Sequence, residues 1–240
     1  MAENPLVKKL AVRDRLNPGE RRRLESLIVG TKQFSRGEDI VSEGARPANS
    51  SLVLEGFCCR YTMLPDGRRQ VSAVHVAGDF VDLHSYLIKQ MDHGVAALSP
   101  CRIAQVPHQS LTDLTRQAPH LTRMLWLSTL IDASVHRQWI VSLGRRSAVS
   151  RVAHLFCEVY LRLDAVGLTD GLACPFPLTQ RDIADACGLS VVHASRTLGT
   201  LKKRKLASVR KGWLEIGGWD RLSAAAEFDP NYLHLDLEPR

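Results

Sequence analysis

The sequence is short of long apolar runs: none of its segments approaches the ~20 consecutive apolar residues that a membrane span requires. Its opening residues, MAENPLVKKL, have no apolar core of the kind a signal peptide carries, so the expectation is a cytoplasmic protein with no membrane partner. The six cysteines (Cys58, Cys59, Cys101, Cys157, Cys174 and Cys187) never fall at C-x-x-C spacing. That pattern excludes a disulfide framework or a structural zinc site and leaves buried free thiols. Catalytic signatures are missing as well. There is no glycine-rich phosphate loop, no nucleophile elbow and no H-E-x-x-H, and the expectation is that the chain is not an enzyme and has no catalytic residues.

What the sequence does contain is an uneven positive charge. The 240 residues carry a formal charge of +7, and the segment Arg145–Gly218, with 12 Lys+Arg against 6 Asp+Glu, accounts for +6 of it. Such asymmetry points to a polyanion met by the C-terminal part. The hydrophobic fraction of 45% is enough for one or two real cores.

Within the basic part, LTQRDIADACGLSVVHASRTLGTL (178–201) has the spacing of two short helices around a tight turn. Thr179 caps the first, with Asp182 three residues on as the acidic partner of a capping box. Ala184 is small enough to let a second helix cross closely, Gly188 takes the turn, and Leu189 plugs the corner. Ser190 caps a second helix running to about Lys203. This is helix-turn-helix spacing, in which the second helix enters the DNA major groove. A helical hairpin in an ordinary core is the plainer alternative, and the chemistry downstream weighs against it. Lys202, Lys203, Arg204 and Lys205 follow at once, and SVRKGWLEI then forms a hairpin-like wing with Arg210 and Lys211 at its tip.

The rest of the chain divides in two. After a short helical lead-in opened by Asn17-Pro18, residues from about Thr31 alternate as short strands punctuated by glycines. SLVLEGFCCRYTML, RRQVSAVHV and CRIAQVP read as strands, and Pro65–Gly67 as a hairpin turn, which suggests a small antiparallel sandwich or jelly roll. A long helix follows over 119–144. Its Leu121, Met124, Ser128, Ile131, Val135, Gln138 and Ser142 recur at alternating spacings of three and four, the seam of a parallel coiled coil. Gly144 is the expected hinge, Ser147 the cap of the next helix (148–163), and the last dozen residues a loose tail.

The order SRGEDIVSEG, SLVLEG, DGRR and AGDF, followed by RRSAVSRVAHLFCEVYLRL, the helix-turn-helix and the wing, resembles the family of the cyclic-AMP receptor protein and Fnr, the Crp/Fnr bacterial transcription regulators. The likeness covers about residues 30–218. It implies an α+β chain: a cyclic-nucleotide-binding-like β-roll (1–118), a dimerisation helix (119–144) and a winged helix-turn-helix domain (145–240). It also implies a homodimer bound to double-stranded DNA at an inverted repeat, with RNA polymerase as a candidate partner. The family's base-reading triplet falls on Val191, Val192 and Arg196. Arg196 can donate bidentately to guanine, whereas valine can only pack against a thymine methyl. Thr179, Gln180, Ser190 and His193 are candidates for phosphate contacts, with Lys202, Lys203, Arg210 and Lys211.

In the sensor half the resemblance argues against its best-known ligand. Cyclic-AMP binders hold the ribose and phosphate with Gly-Glu and Arg-Ser. Here Asp82-Leu83 and Met91-Asp92 stand in those places, and a carboxylate disfavours an anion. The candidate effector pocket is Asp82, Leu83, His84, Met91, Asp92 and His93, and no response to cyclic AMP is expected. An iron–sulfur cluster needs grouped N-terminal cysteines, and the first here is Cys58. His75, His84, His93 and Cys101 match no known haem or metal spacing, so no cofactor is expected. Cys187 is a candidate redox switch. The reading is a dimeric, sequence-specific regulator. Its alternative is a constitutive or redox-modulated DNA binder whose β-roll is a dimer scaffold without a ligand.

Overall fold

The computed structural model describes residues 4–240, and the first three residues of the expected β-roll segment lie outside the described residues. Contacts divide the chain into two units: residues 1–60, 74–134 and 234–240 in one, and 61–73 and 135–233 in the other.

The first unit opens with two helices, α1 (Pro5–Ala11) and α2 (Pro18–Glu25). Asn17 and Glu20 form a reciprocal capping box on α2, with Pro18 at its first position, where the missing N–H costs nothing. Strands β1 (Gly30–Phe34), β2 (Asp39–Val41), β3 (Asn49–Glu55), β4 (Cys58–Met63) and β5 (Arg69–His75) follow, then a short helix α3 (Ser85–Ile88), β6 (Gly94–Ala97) and β7 (Cys101–Pro107); the end of β4, the turn after it and most of β5 (residues 61–73) are assigned to the second unit. They make two sheets, β1-β7-β3 and β2-β6-β4-β5, in which β1 and β3 pair antiparallel with β7 and β2 antiparallel with β6. The segment SLVLEGFCCRYTML is broken into two strands at Gly56. A side chain there would put its Cβ 2.3 Å from the Pro100 carbonyl, and the backbone φ is +88°, so only glycine fits. The expected hairpin turn forms at Pro65–Gly67, with the Leu64 N–H donating to Arg68 and Gly67 at φ +81°.

Two apolar clusters fill this unit. Val41, Val53, Cys58, Val81, Met91, Val95 and Ile103 form one. Leu6, Leu10, Leu24, Leu52 and Val106 form the other with Leu111 and Leu114 of α4 (His108–Gln117) and Leu121, Met124 and Leu125 from the start of α5 (Pro119–Arg145).

Helix α5 covers much of the expected dimer seam with its own chain. Of the seven residues assigned to it, Leu121, Met124, Ile131, Val135 and Ser142 are buried by this chain alone, and Ser128 and Gln138 are half-buried. Among the exposed positions are Trp126, Leu130, Ala133, Arg137, Ile140 and Gly144. They also alternate at spacings of four and three, so α5 carries two seams, and the one facing outward is a different set of residues. Gly144 is not a break: the helix runs through it to Arg145.

In the second unit, α6 (Ala148–Asp164) is capped by Ser147, whose Oγ accepts from the Ser150 N–H. Its Val152, Phe156 and Val159 are fully buried. Strand β8 (Ala173–Pro175), α7 (Gln180–Cys187), α8 (Val191–Lys203), β9 (Ala207–Arg210), β10 (Trp213–Ile216) and α9 (Trp219–Ala226) complete it, with a sheet of order β8-β10-β9. The core holds a buried carboxylate, Glu158, which accepts from Trp139 Nε1 (3.1 Å), Tyr232 Oη (2.9 Å) and Arg162 Nη1 (3.1 Å). His154 Nε2 lies 3.1 Å from the same Tyr232 hydroxyl.

The expected loose tail is not loose. Residues Pro230–Leu233 form a short 3-10 helix that buries Tyr232 and Leu233. Beyond it, the Glu238 N–H donates to the Arg13 carbonyl and the Arg240 N–H to the Asp14 carboxylate. Contacts therefore assign 234–240 to the first unit and divide α5 at 134/135. Among the described residues no helix is long and apolar enough to cross a membrane.

Candidate nucleic-acid interface and effector region

The two helices of the basic segment are set by their caps. Thr179 Oγ1 accepts from the Asp182 N–H while the Asp182 carboxylate accepts from the Thr179 N–H, closing the expected capping box on α7. Gly188 ends α7 in the left-handed conformation at φ 59°. Ser190 Oγ accepts from the His193 N–H and starts α8. Ile183, Ala184, Ala194, Thr197 and Leu201 face inward. The Thr197 hydroxyl donates back to the His193 carbonyl at 2.9 Å, which lets a polar residue occupy a buried position.

The outward side of α8 is Val192, Ser195, Arg196, Gly199 and Lys203, recurring at spacings of three and four, with Val191, His193 and Lys202 flanking it. Every residue expected to touch DNA (Thr179, Gln180, Ser190, Val191, Val192, His193, Arg196, Lys202, Lys203, Arg210 and Lys211) is exposed. The Thr179 and Ser190 hydroxyls are engaged in caps, so what these residues offer a phosphate is chiefly the helix N-termini they create.

The wing is a two-residue hairpin, with Arg210 paired to Trp213 across the turn. Its turn residues, Lys211 and Gly212, have φ of 50° and 79°, the sign that a type I′ turn needs at both positions. A lysine there costs of order 1 kcal/mol relative to glycine and keeps a charge at the exposed tip. Three contributors were not singled out from the sequence: Ser195 and Gly199 on the α8 face, and half-exposed Trp213 beside the wing tip.

Acidic groups on α7 do not offset this basic surface. Arg69, which falls in the same unit as α7, places Nη2 2.8 Å from Asp182 Oδ1 and Nε 2.9 Å from Asp185 Oδ2. Gln70 Nε2 donates to the Asp185 carbonyl at 2.9 Å. Cys187, the candidate redox switch, is 2% exposed, and burial pushes its thiol up to about 12 against a smaller opposing pull from Arg151. A thiol held so far above neutrality has almost no thiolate with which to react.

The six residues of the expected effector pocket do not form one pocket. Asp82, Leu83 and Met91 belong to the packed interior. Asp82 is fully buried, accepts a hydrogen bond from the Ser51 N–H, and has its carboxyl pushed up to about 7 by burial. Met91 sits in the apolar cluster between the sheets, and Leu83 packs on the other cluster. The remaining three, His84, Asp92 and His93, come together. His93 Nδ1 lies 2.6 Å from Asp92 Oδ1, and the two imidazole centroids are 5.1 Å apart. Burial lowers the His84 pKa to about 4, helped by Arg60 and His93, and lowers that of His93, so both rings are neutral at pH 7. Arg60 is the buried cation of this region. It donates to Asp132 Oδ2 and to the Val81 carbonyl, each at 3.0 Å. His75 and Cys101 are buried and stand outside this group.

Comparison with known proteins matches these parts in the same order. Residues 31–118 match the cyclic nucleotide-binding domain, and residues 150–225 match the Crp-like helix-turn-helix domain. The chain is 31% identical over 223 residues to the nitrogen fixation regulation protein FixK of Bradyrhizobium diazoefficiens, covering 92% of this chain and 91% of the other. It is 24% identical to the fumarate and nitrate reduction regulatory protein of Vibrio cholerae, covering 88% and 84%. Among solved structures, FixK2 from Bradyrhizobium japonicum superposes with a TM-score of 0.74 at 24% identity, covering 82% of this chain and 96% of that one, which is a likeness of fold. With a cyclic-nucleotide-binding fold, a Crp-like helix-turn-helix and a relative of this identity along almost its whole length, the chain belongs to the Crp/Fnr family of transcription regulators.

Proposed function

We propose that this regulator works as a homodimer that places two copies of α8 in successive major grooves of an inverted repeat, with Arg196 as its main direct reader and without a response to cyclic AMP. The observation that carries the reading is the exposed α8 face, where Arg196 stands between Val192 and Lys203 on a surface whose neighbouring carboxylates are paired with Arg69. The outward seam of α5 favours pairing with a second copy. Trp126 is 65% exposed, Leu130 52% and Ile140 70%, a run of apolar surface along one helix face of the kind that marks an interaction site. Against cyclic AMP stand the buried Asp82 and the packed Met91, which occupy the places of the family's ligand clamp. The same packing favours a second reading, in which the β-roll is a dimer scaffold and DNA binding is constitutive.

In-vitro selection from random oligonucleotides with untreated full-length protein tests this. Recovery of an inverted repeat with half-sites about one helical turn apart is expected. Arg196→Ala should relax selection at one position per half-site, at a cost of about 1–3 kcal/mol. Enrichment of a single unrepeated site would refute dimeric reading. A gain in affinity on adding cyclic AMP would refute the second claim.

A further inference from the structure

Two histidines and an aspartate of the β-roll come together outside the DNA-binding surface. His84 ends the turn before α3, and Asp92 and His93 immediately precede β6. Each offers a donor atom, and the three donor atoms lie within 4.8 Å of one another. We propose that His84, Asp92 and His93 form a binding site for a divalent late transition-metal ion of the zinc, cobalt or nickel class.

Four observations support it. First, Nε2 of both histidines is buried and has no hydrogen-bond partner. Leaving a buried ring nitrogen unsatisfied is costly, and two such atoms on adjacent rings call for a shared occupant. Second, His93 as a whole is only 9% exposed, so this lone pair is turned into the protein rather than into water. Third, Asp92 Oδ1 lies 2.6 Å from His93 Nδ1, so the carboxylate already stands beside the ring whose Nε2 is unpaired. Fourth, the Asp92 side chain is 79% exposed, which gives an ion an entry path from solvent and supplies negative charge at the open end.

The donor set decides the class. Two imidazoles and a carboxylate, with no thiolate, suit borderline ions and disfavour copper(I); magnesium and calcium prefer all-oxygen shells. Ligands about 2.0–2.1 Å from a tetrahedral ion lie roughly 3.4 Å apart. A spread of up to 4.8 Å therefore closes by small side-chain rotations on the loop. The cation that acts on both imidazoles is Arg60, and Asp132 already pairs with it. The bound ion would join the two ends of the segment 84–93, which includes α3 and its exposed Leu87 and Ile88.

The test uses tag-free, full-length protein stripped with a chelator and titrated with cobalt(II) and zinc(II). Bound metal is counted by mass spectrometry, and affinity is measured by calorimetry. The expected result is one ion per chain, with cobalt showing nitrogen- and oxygen-ligand visible bands. His93→Gln should abolish the site, and His234→Gln in the C-terminal tail should leave it intact. Asp92→Asn, a surface change that keeps the fold, should weaken binding 10–100-fold. Binding equal in wild type and His93→Gln would overturn the proposal, as would a thiolate-to-cobalt band assigning the ion to cysteines. Failure to retain any ion above the His93→Gln level would overturn it too.

Discussion

Gly199 is a glycine in the middle of α8, where an alanine would be worth about 0.8–1 kcal/mol more to the helix. Nothing lies within 4 Å of the position its Cβ would take, and its backbone is not in the left-handed region. Gly199→Ala should therefore stabilise the free protein by about 1 kcal/mol, which for a chain of this size is a rise of roughly 2–4 °C in Tm. The same methyl would stand on the face shared with Val192, Arg196 and Lys203. If that face seats closely in the groove, overpacking costs at least about 1 kcal/mol, a fivefold or greater loss of specific affinity. Thermal or urea unfolding and salt-controlled titration of the selected operator measure the two effects on one preparation. A lower Tm would refute the open space beside Gly199. A higher Tm with unchanged operator affinity would refute the seating of this face against DNA.

Other expectations concern separate parts of the molecule. Arg69→Ala removes two charge-assisted bonds to half-buried or buried carboxylates and should lower stability by about 2 kcal/mol, read as a lower urea midpoint; an unchanged midpoint would show the contact to be idle. His154 is held to about 4 by burial. Its folded pKa lies below the unfolded value near 6.5, so its contribution is complete above pH 6.5 and is lost as pH falls through about 4. The difference is on the order of 3 kcal/mol, and ring-nitrogen NMR should find His154 neutral at pH 5. On α5, Leu130→Glu should abolish dimers in light scattering while leaving the chain folded, whereas Ile131→Glu, one residue away but 6% exposed, should unfold it; the reverse pattern would restore the inner seam.

Local chemistry was the most legible part of the sequence. Caps at Asn17, Thr179, Ser147 and Ser190 depend on residues three apart, and each forms as read. The strands were legible from turn glycines for the same reason. The α5 seam was not: a helix with apolar residues on most sides contains more than one heptad register, and periodicity cannot tell which register its own core will cover. The pocket failed differently. Its six residues were chosen by position in the chain, and the loop turned Met91 inward and Asp92 outward. The grouping of His84 with His93 rests on that loop's path, and the Arg69–Asp182 pair spans 113 positions. Neither leaves a mark in sequence spacing.

All six thiols are buried, none more than 4% exposed: Cys58, Cys59 and Cys101 in the first unit, and Cys157, Cys174 and Cys187 in the second. An alkylating reagent can then reach each sulfur only when the structure around it opens. The protein thus carries six internal clocks, three to a unit, that record local opening without any engineered label. Mass spectrometry of timed alkylation would rank the opening free energies of α6, α7 and strands β4, β7 and β8. Were operator DNA to slow the clocks in α6 and α7 and leave those in the β-roll running, the two units would breathe independently.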